Sequence, residues 1–151
     1  MIEVLIVLAI IAIIAMMAIP SLYPIKVRGE ISEAIELADQ LKTKITVIYQ
    51  LSSTFPQDNE KAGLPEPELL IGNFTESTTV EDGALHITLG KKIGEKVKGK
   101  IVTLQPITVI SSPSSPISWI CGYSKVPEGM QAVGENKTDI ERNLLPVRCR
   151  R

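Results

Sequence analysis

One carboxylate stands where a charge is costly. Glu3 lies at the N-terminal end of an apolar run, Val4 to Ile19, that holds no charged or strongly polar side chain. An ionised carboxylate in hydrocarbon costs at least a few kcal/mol even on lenient insertion scales. Such a group either finds a partner and a role or snorkels to the membrane surface near a helix end. The other reactive types are sparse. His86 is the one histidine, and no HExxH, phosphate-binding glycine loop or nucleophile-elbow serine accompanies it. Without a companion base or nucleophile it reads as a structural or surface histidine, and no enzyme is expected. Cys121 and Cys149 stand in neither a metal-ligand nor a CxxC arrangement, so neither zinc nor thioredoxin-like chemistry is supported. No metal or cofactor is expected. Lys91, Lys92, Lys96, Lys98 and Lys100, with only Glu95 among them, form a candidate phosphate-tracking edge for DNA. The competing reading is a solvated, lysine-rich edge that discourages strand pairing, and no aromatic residue is interleaved to favour nucleic acid.

These groups need elements to position them. The chain of 151 residues carries a formal net charge of -1, which invites neither nucleic acid nor anionic lipid as a whole. Its length suits one domain with a real core. The apolar run of sixteen residues would extend about 24 Å as a helix, short of a ~30 Å hydrocarbon core, and Ser21, Leu22 and Tyr23 close most of the gap. A cleaved export signal is the alternative. The layout here, with an acid just inside the run and no small-x-small site after it, points instead to a retained anchor. Pro20 removes a backbone donor and should bend the helix, Pro24 repeats this four residues later, and Lys26 and Arg28 follow as candidates for the headgroup region.

From Glu30 the pattern turns amphipathic. Ile31, Ala34, Ile35, Ala38, Leu41, Ile45 and Ile48 share one stripe, while Glu30, Glu33, Glu36, Asp39, Lys42 and Lys44 leave the other side polar. Residues 52–82 read as one long, aperiodic connection, of a kind that is often functional. Strands are predicted over 84–89, 100–104 and 117–121, giving a meander of three or four antiparallel strands. One helix laid across one such sheet makes an α+β head. The expected division is 1–25, the apolar helix half, and 26–151, the head.

The segment Met1-Ile2-Glu3-Val4-Leu5-Ile6-Val7-Leu8-Ala9-Ile10-Ile11-Ala12-Ile13-Ile14-Ala15-Met16-Met17-Ala18-Ile19-Pro20 resembles the mature N-terminus of a type IV pilin. In that family a prepilin peptidase cuts after a glycine, the new terminal residue is methylated, and a glutamate at the fifth mature position precedes a proline by seventeen residues. Glu3 and Pro20 keep that spacing, which implies two mature residues before Met1. Ala12 departs from a frequent glycine. The resemblance implies assembly roles for Glu3, which would neutralise the N-terminal amine of a neighbouring copy, and for Pro20. It also implies a helical homopolymer, an inner-membrane stage, pilus assembly machinery, and an extracellular fimbrium.

The second match lies at the other end of the chain. Trp119-Ile120-Cys121-Gly122 and Leu144-Leu145-Pro146-Val147-Arg148-Cys149 are similar to the C-terminal region of type IVa major pilins, where a disulfide ties the last strand to the chain end. The resemblance, with the oxidising compartment of an exported domain, implies a Cys121–Cys149 bond bounding residues 121–149. It also sets the chain apart from type II secretion pseudopilins, which commonly lack that loop. Two functions follow as alternatives: a structural filament subunit for adhesion, twitching motility or DNA uptake, or a minor pilin displaying a head to DNA or a host surface. The sequons at Asn73 and Asn136 are assigned no role.

Overall fold

The structure is a computed structural model of residues 1–151. It describes all residues except Lys91 and Pro113, and the side chains of residues 18–21 also lie outside the description. The expected roles of Pro20 and Lys91 therefore fall outside the described residues.

One helix, α1 (Ile2–Ser52), runs through a third of the chain and ends at Ser53, whose N–H bonds the Tyr49 carbonyl at 2.8 Å. After it come five strands, β1 (Thr75–Glu81), β2 (Ala84–Leu89), β3 (Ile101–Val109), β4 (Ser118–Cys121) and β5 (Met130–Ala132), with short 3-10 turns at Pro67–Leu69, Arg142–Leu144 and Val147–Cys149. The sheet is antiparallel in the order β1-β2-β3-β4, with β5 also paired to β3. This is the α+β arrangement the pattern predicts.

The stripe packs as its period requires. Ile31, Ala34, Ile35, Ala38 and Ile45 are buried, Leu41 and Ile48 are half-buried, and Val27 extends the row one turn earlier. Opposite them lie Leu85, Ile87 and Leu89 of β2 and Val102 and Leu104 of β3. Each fully buried isoleucine or leucine contributes about 1.5–3 kcal/mol, so this seam holds the head half of α1 on the sheet. The polar face differs at one point. Glu30 is buried, because Oε2 accepts the Gly94 N–H at 3.2 Å and Oε1 lies 3.6 Å from Lys26 Nζ, which together repay its desolvation.

The long connection is shorter than its composition suggests, because β1 occupies nearly its last quarter. Asp82 and Gly83 close the β1–β2 hairpin with φ of 47° and 84°. Both central residues are left-handed, as a type I′ turn demands. A Cβ at Gly83 would lie 2.7 Å from Phe55 Cδ1, so glycine is required there on both counts. Asn59 then clamps the connection to β1: its amide donates to the Pro65 carbonyl (2.9 Å) and the Thr78 carbonyl (3.1 Å), and Oδ1 accepts the Val80 N–H at 2.6 Å. Pro106 is tolerated within β3 because pairing with β2 has ended at Leu104, and its carbonyl accepts the Val133 N–H at 2.9 Å.

One buried titratable group sits in this sheet. His86 Nδ1 is 3.0 Å from Thr103 Oγ1, which also accepts the Lys137 N–H at 3.0 Å. The Thr103 proton then serves Nδ1, leaving the Nε2 proton toward Glu81, whose Oε2 is 3.9 Å away and itself held by Lys137 Nζ. Burial holds the imidazole below its ordinary value. Lys137 acts in the same direction, and Glu81 and Glu135 oppose. The folded state thus binds fewer protons than the unfolded chain, so this contribution is complete above the unfolded value of 6.5 and is lost as pH falls below it. Melting temperature is expected to fall between pH 7.5 and 5.5, where the one histidine is the side chain that ordinarily titrates. In His86→Gln that slope should flatten. An unchanged slope in the variant would assign it to other groups.

Candidate assembly interface

Among the described residues, the apolar side chains of α1 from Ile2 to Met17 are not covered by the rest of the chain. Every large apolar side chain from Met1 to Met17 is at least 51% exposed, while among the described residues no buried core residue precedes Val27. Among the described residues no single helix is long and apolar enough to cross a membrane, and residues 2–17 and 22–52 reach that standard only together. An exposed apolar helix of this extent far exceeds what a soluble monomer shows to water, and marks a surface for protein or lipid. Glu3 is exposed on its first turn, where a carboxylate also meets the favourable end of the helix dipole. Its expected partner, an amine on another copy, is a relation between chains. The fold places Glu3 on the unpartnered half, far from the head's own cations.

The basic residues predicted to meet headgroups divide. Lys26 is solvent-facing, but Arg28 Nε and Nη2 both donate to the Asn143 carbonyl, at 3.0 and 2.8 Å. Arg28 therefore fastens the C-terminal segment to α1 rather than reaching away from it. The candidate DNA lysines are likewise redistributed. They lie on the β2–β3 connection and not along a strand: Lys98 Nζ is 3.7 Å from Glu95, Lys100 donates to the Asp139 carbonyl at 2.9 Å, and Lys96 sits over the Tyr23 ring at 5.5 Å. Lys92 is exposed. No continuous cationic edge results among the described residues.

Cys121 and Cys149 are bonded, both buried, and join the end of β4 to the last 3-10 turn. Around the bond the chain end is stitched to the segment after β4. The Tyr123 N–H meets the Cys149 carbonyl at 2.9 Å, the Lys125 N–H meets the Arg151 carbonyl at 2.7 Å, and Ser124 Oγ donates to the Arg148 carbonyl at 2.5 Å. Ile140, Leu144 and Leu145 are buried beneath. Sequence reasoning misses these last three as core, since they interrupt a polar stretch with no period; the cluster Leu144-Leu145-Pro146 is the available cue. The two sequon asparagines are engaged internally, Asn73 with Glu33 at 2.8 Å and Asn136 with the Gly122 carbonyl at 2.5 Å.

A disulfide-closed α+β head carries a helix whose residues from Val4 to Met17 are apolar and exposed, a large surface left uncovered by the chain's own fold. The pilin family model, described as a bacterial filament, matches residues 27–150. Over 99% of its length the chain is similar to the type IV major pilin protein PilE1 of Neisseria gonorrhoeae, at 30% identity covering 84% of that protein. It is likewise similar to a fimbrial protein of Neisseria meningitidis serogroup A (29%, covering 91%) and to one of Pseudomonas aeruginosa (31%, covering 93%). The chain belongs to the pilin family, whose members are structural, non-enzymatic subunits that self-polymerise into an extracellular pilus.

Proposed function

We propose that this chain is a major subunit of a type IV pilus, in which residues 1–25 serve first as inner-membrane anchor and then as filament core, while residues 26–151 form the outward head. The observation that carries this reading is the unbroken run of exposed apolar side chains from Val4 to Met17 on α1, whereas the exposed apolar residues of the head, such as Leu69, Ile71 and Ile110, are scattered. Similarity to major pilins supports abundance over a trace role. Adhesion, twitching motility and DNA uptake are the uses such a filament would serve, with a prepilin peptidase and assembly machinery as earlier partners. The reading as a DNA-displaying minor pilin loses support because Lys98 faces Glu95, Lys100 is held by the Asp139 carbonyl and Lys96 lies over Tyr23, so that these lysines do not line up as an edge along a strand.

Glu3 is assigned to registering each incoming copy through the amine of its neighbour, and Pro20 to bending the anchor. Deleting the gene should leave cells without this filament by electron microscopy, and the intact gene should restore it as the dominant band of sheared material. Restoring Glu3→Ala instead should give normal protein in the membrane fraction, since losing a charge eases insertion, with sheared pilus reduced at least tenfold, about the loss of 1.4 kcal/mol per added subunit. Normal pilus yield from Glu3→Ala cells would show that the carboxylate is merely tolerated.

A further inference from the structure

The lysine-rich connection between β2 and β3 lies at the foot of the head, against the turn of α1 where the apolar half ends. Ile93 and Val97 are buried and pin it there. A Cβ added at Gly94 would lie 2.9 Å from both the Tyr23 hydroxyl and Val27 Cγ2, so the backbone approaches the helix as closely as a residue without a side chain allows. The Gly94 N–H reaches Glu30, whose other oxygen faces Lys26. Lys96 sits over Tyr23, one helical turn nearer the apolar half than Val27, as a cation over a ring. Lys92, Lys96, Lys98 and Lys26 are all exposed. Against these four ammonium groups stand Glu30, which is buried, and Glu95, which is exposed beside Lys98.

The position of this cluster along the helix selects its partner. Leu22 and Ile25 are still exposed apolar side chains, and Lys26 is the first cation after them. From Val4 to Ile25 a helix rises about 33 Å, matching a ~30 Å hydrocarbon core. With that length immersed, Lys26 and the connection packed beside it stand at headgroup level, within the few ångströms over which lysines feel an anionic leaflet. Nucleic acid would have to enter the same narrow space between head and bilayer.

We propose that Lys26, Lys92, Lys96 and Lys98 form a cationic foot that binds the anionic phospholipid headgroups of the membrane holding the subunit before assembly. The foot rests on the anchor reading above. It would seat the head at a fixed height and orientation over the bilayer, with Tyr23 as the amphipathic side chain between the two zones.

The test uses the full chain in nanodiscs of phosphatidylcholine alone and of an equal mixture with phosphatidylglycerol. Amine acylation is followed lysine by lysine by mass spectrometry. Lys92, Lys96 and Lys98 should react about fivefold more slowly in the anionic discs, the ratio corresponding to one lysine's attraction to such a surface. High salt should erase the difference. Lys44, about 27 Å further along α1 than Lys26, should react equally in both. In Lys92→Glu/Lys96→Glu the protection of Lys98 should disappear, and its persistence would overturn the proposal. Equal labelling in the two discs, with the chain still co-eluting with them, would overturn the foot alone. A chain that co-elutes with neither disc would overturn the anchor and the foot together. Stronger protection by duplex DNA in neutral discs than by anionic lipid would give the connection to nucleic acid instead.

Discussion

Replacing Cys121 and Cys149 together by alanine is expected to lower the stability of the head by about 3.6 kcal/mol, the chain-entropy value for reopening a loop of this length. The separation of 28 residues is large enough that the unfolded chain regains considerable freedom. Both sulfurs are buried, so some packing is lost as well. For a head of this size the effect corresponds to a fall of about 10–20 °C in melting temperature. The sheet should survive, because the seam between α1 and β2–β3 does not depend on the bond. The segment that follows β4 should not, at physiological temperature. What then holds it is Arg28 on the Asn143 carbonyl, the three backbone and hydroxyl bonds around Tyr123, Ser124 and Lys125, and the burial of Ile140, Leu144 and Leu145. Circular dichroism of the detergent-solubilised chain measures the first effect and limited proteolysis the second. A melting temperature within about 3 °C of wild type, equivalent to about 1 kcal/mol or less, would mean that these contacts alone define the C-terminal region.

The elements legible in the residues are those whose burial is periodic. Ile31 to Ile48 repeat at helical spacing, and β2, β3 and β4 announce themselves by β-branched and aromatic side chains between turn residues. β1 is hidden for a physical reason. It is an edge strand of composition Thr-Glu-Ser-Thr-Thr-Val-Glu, whose few inward positions are filled by threonine and valine and whose outer face is solvated. Its cue is the Asp82-Gly83 pair, the hairpin dipeptide before a clear strand. β5, three residues long, has no period to read. Glu30 reads as part of the polar face because its type is usually solvated. The approach of Gly94 from sixty-four positions away, together with Lys26 one turn back, makes its burial tolerable. Arg28 misleads in the same way, since a carbonyl at Asn143 cannot be foreseen from the helix. Glu3 stands out because an acid beside an unbroken apolar run is conspicuous without any fold, whereas what it meets depends on a second copy of the chain.

Removing residues 1–25 should convert a protein that requires detergent or a filament into a soluble, folded monomer, and should abolish polymerisation altogether. Among the described residues the buried core begins at Val27, so the truncation takes away none of those core residues. The helix stripe from Val27 to Ile45, the five strands, the Asn59 clamp and the disulfide all remain. The cost falls on Tyr23, which is half-buried against the core and lies under Lys96. Losing that contact and fraying the new helix end should cost the head about 1–2 kcal/mol, a typical single-site loss. The gain is the removal of the exposed apolar stretch of helix from Val4 to Met17, the surface that would otherwise drive association. Because that helix is also the proposed filament core, solubility and loss of assembly should appear together. Size-exclusion chromatography and circular dichroism report the first, and electron microscopy of cells supplying only the truncated chain reports the second. An unfolded product would mean that the apolar half stabilises the head from a distance. Long filaments built from the truncated chain would place the assembly surface on the head, and the first half of α1 would then be an anchor and nothing more.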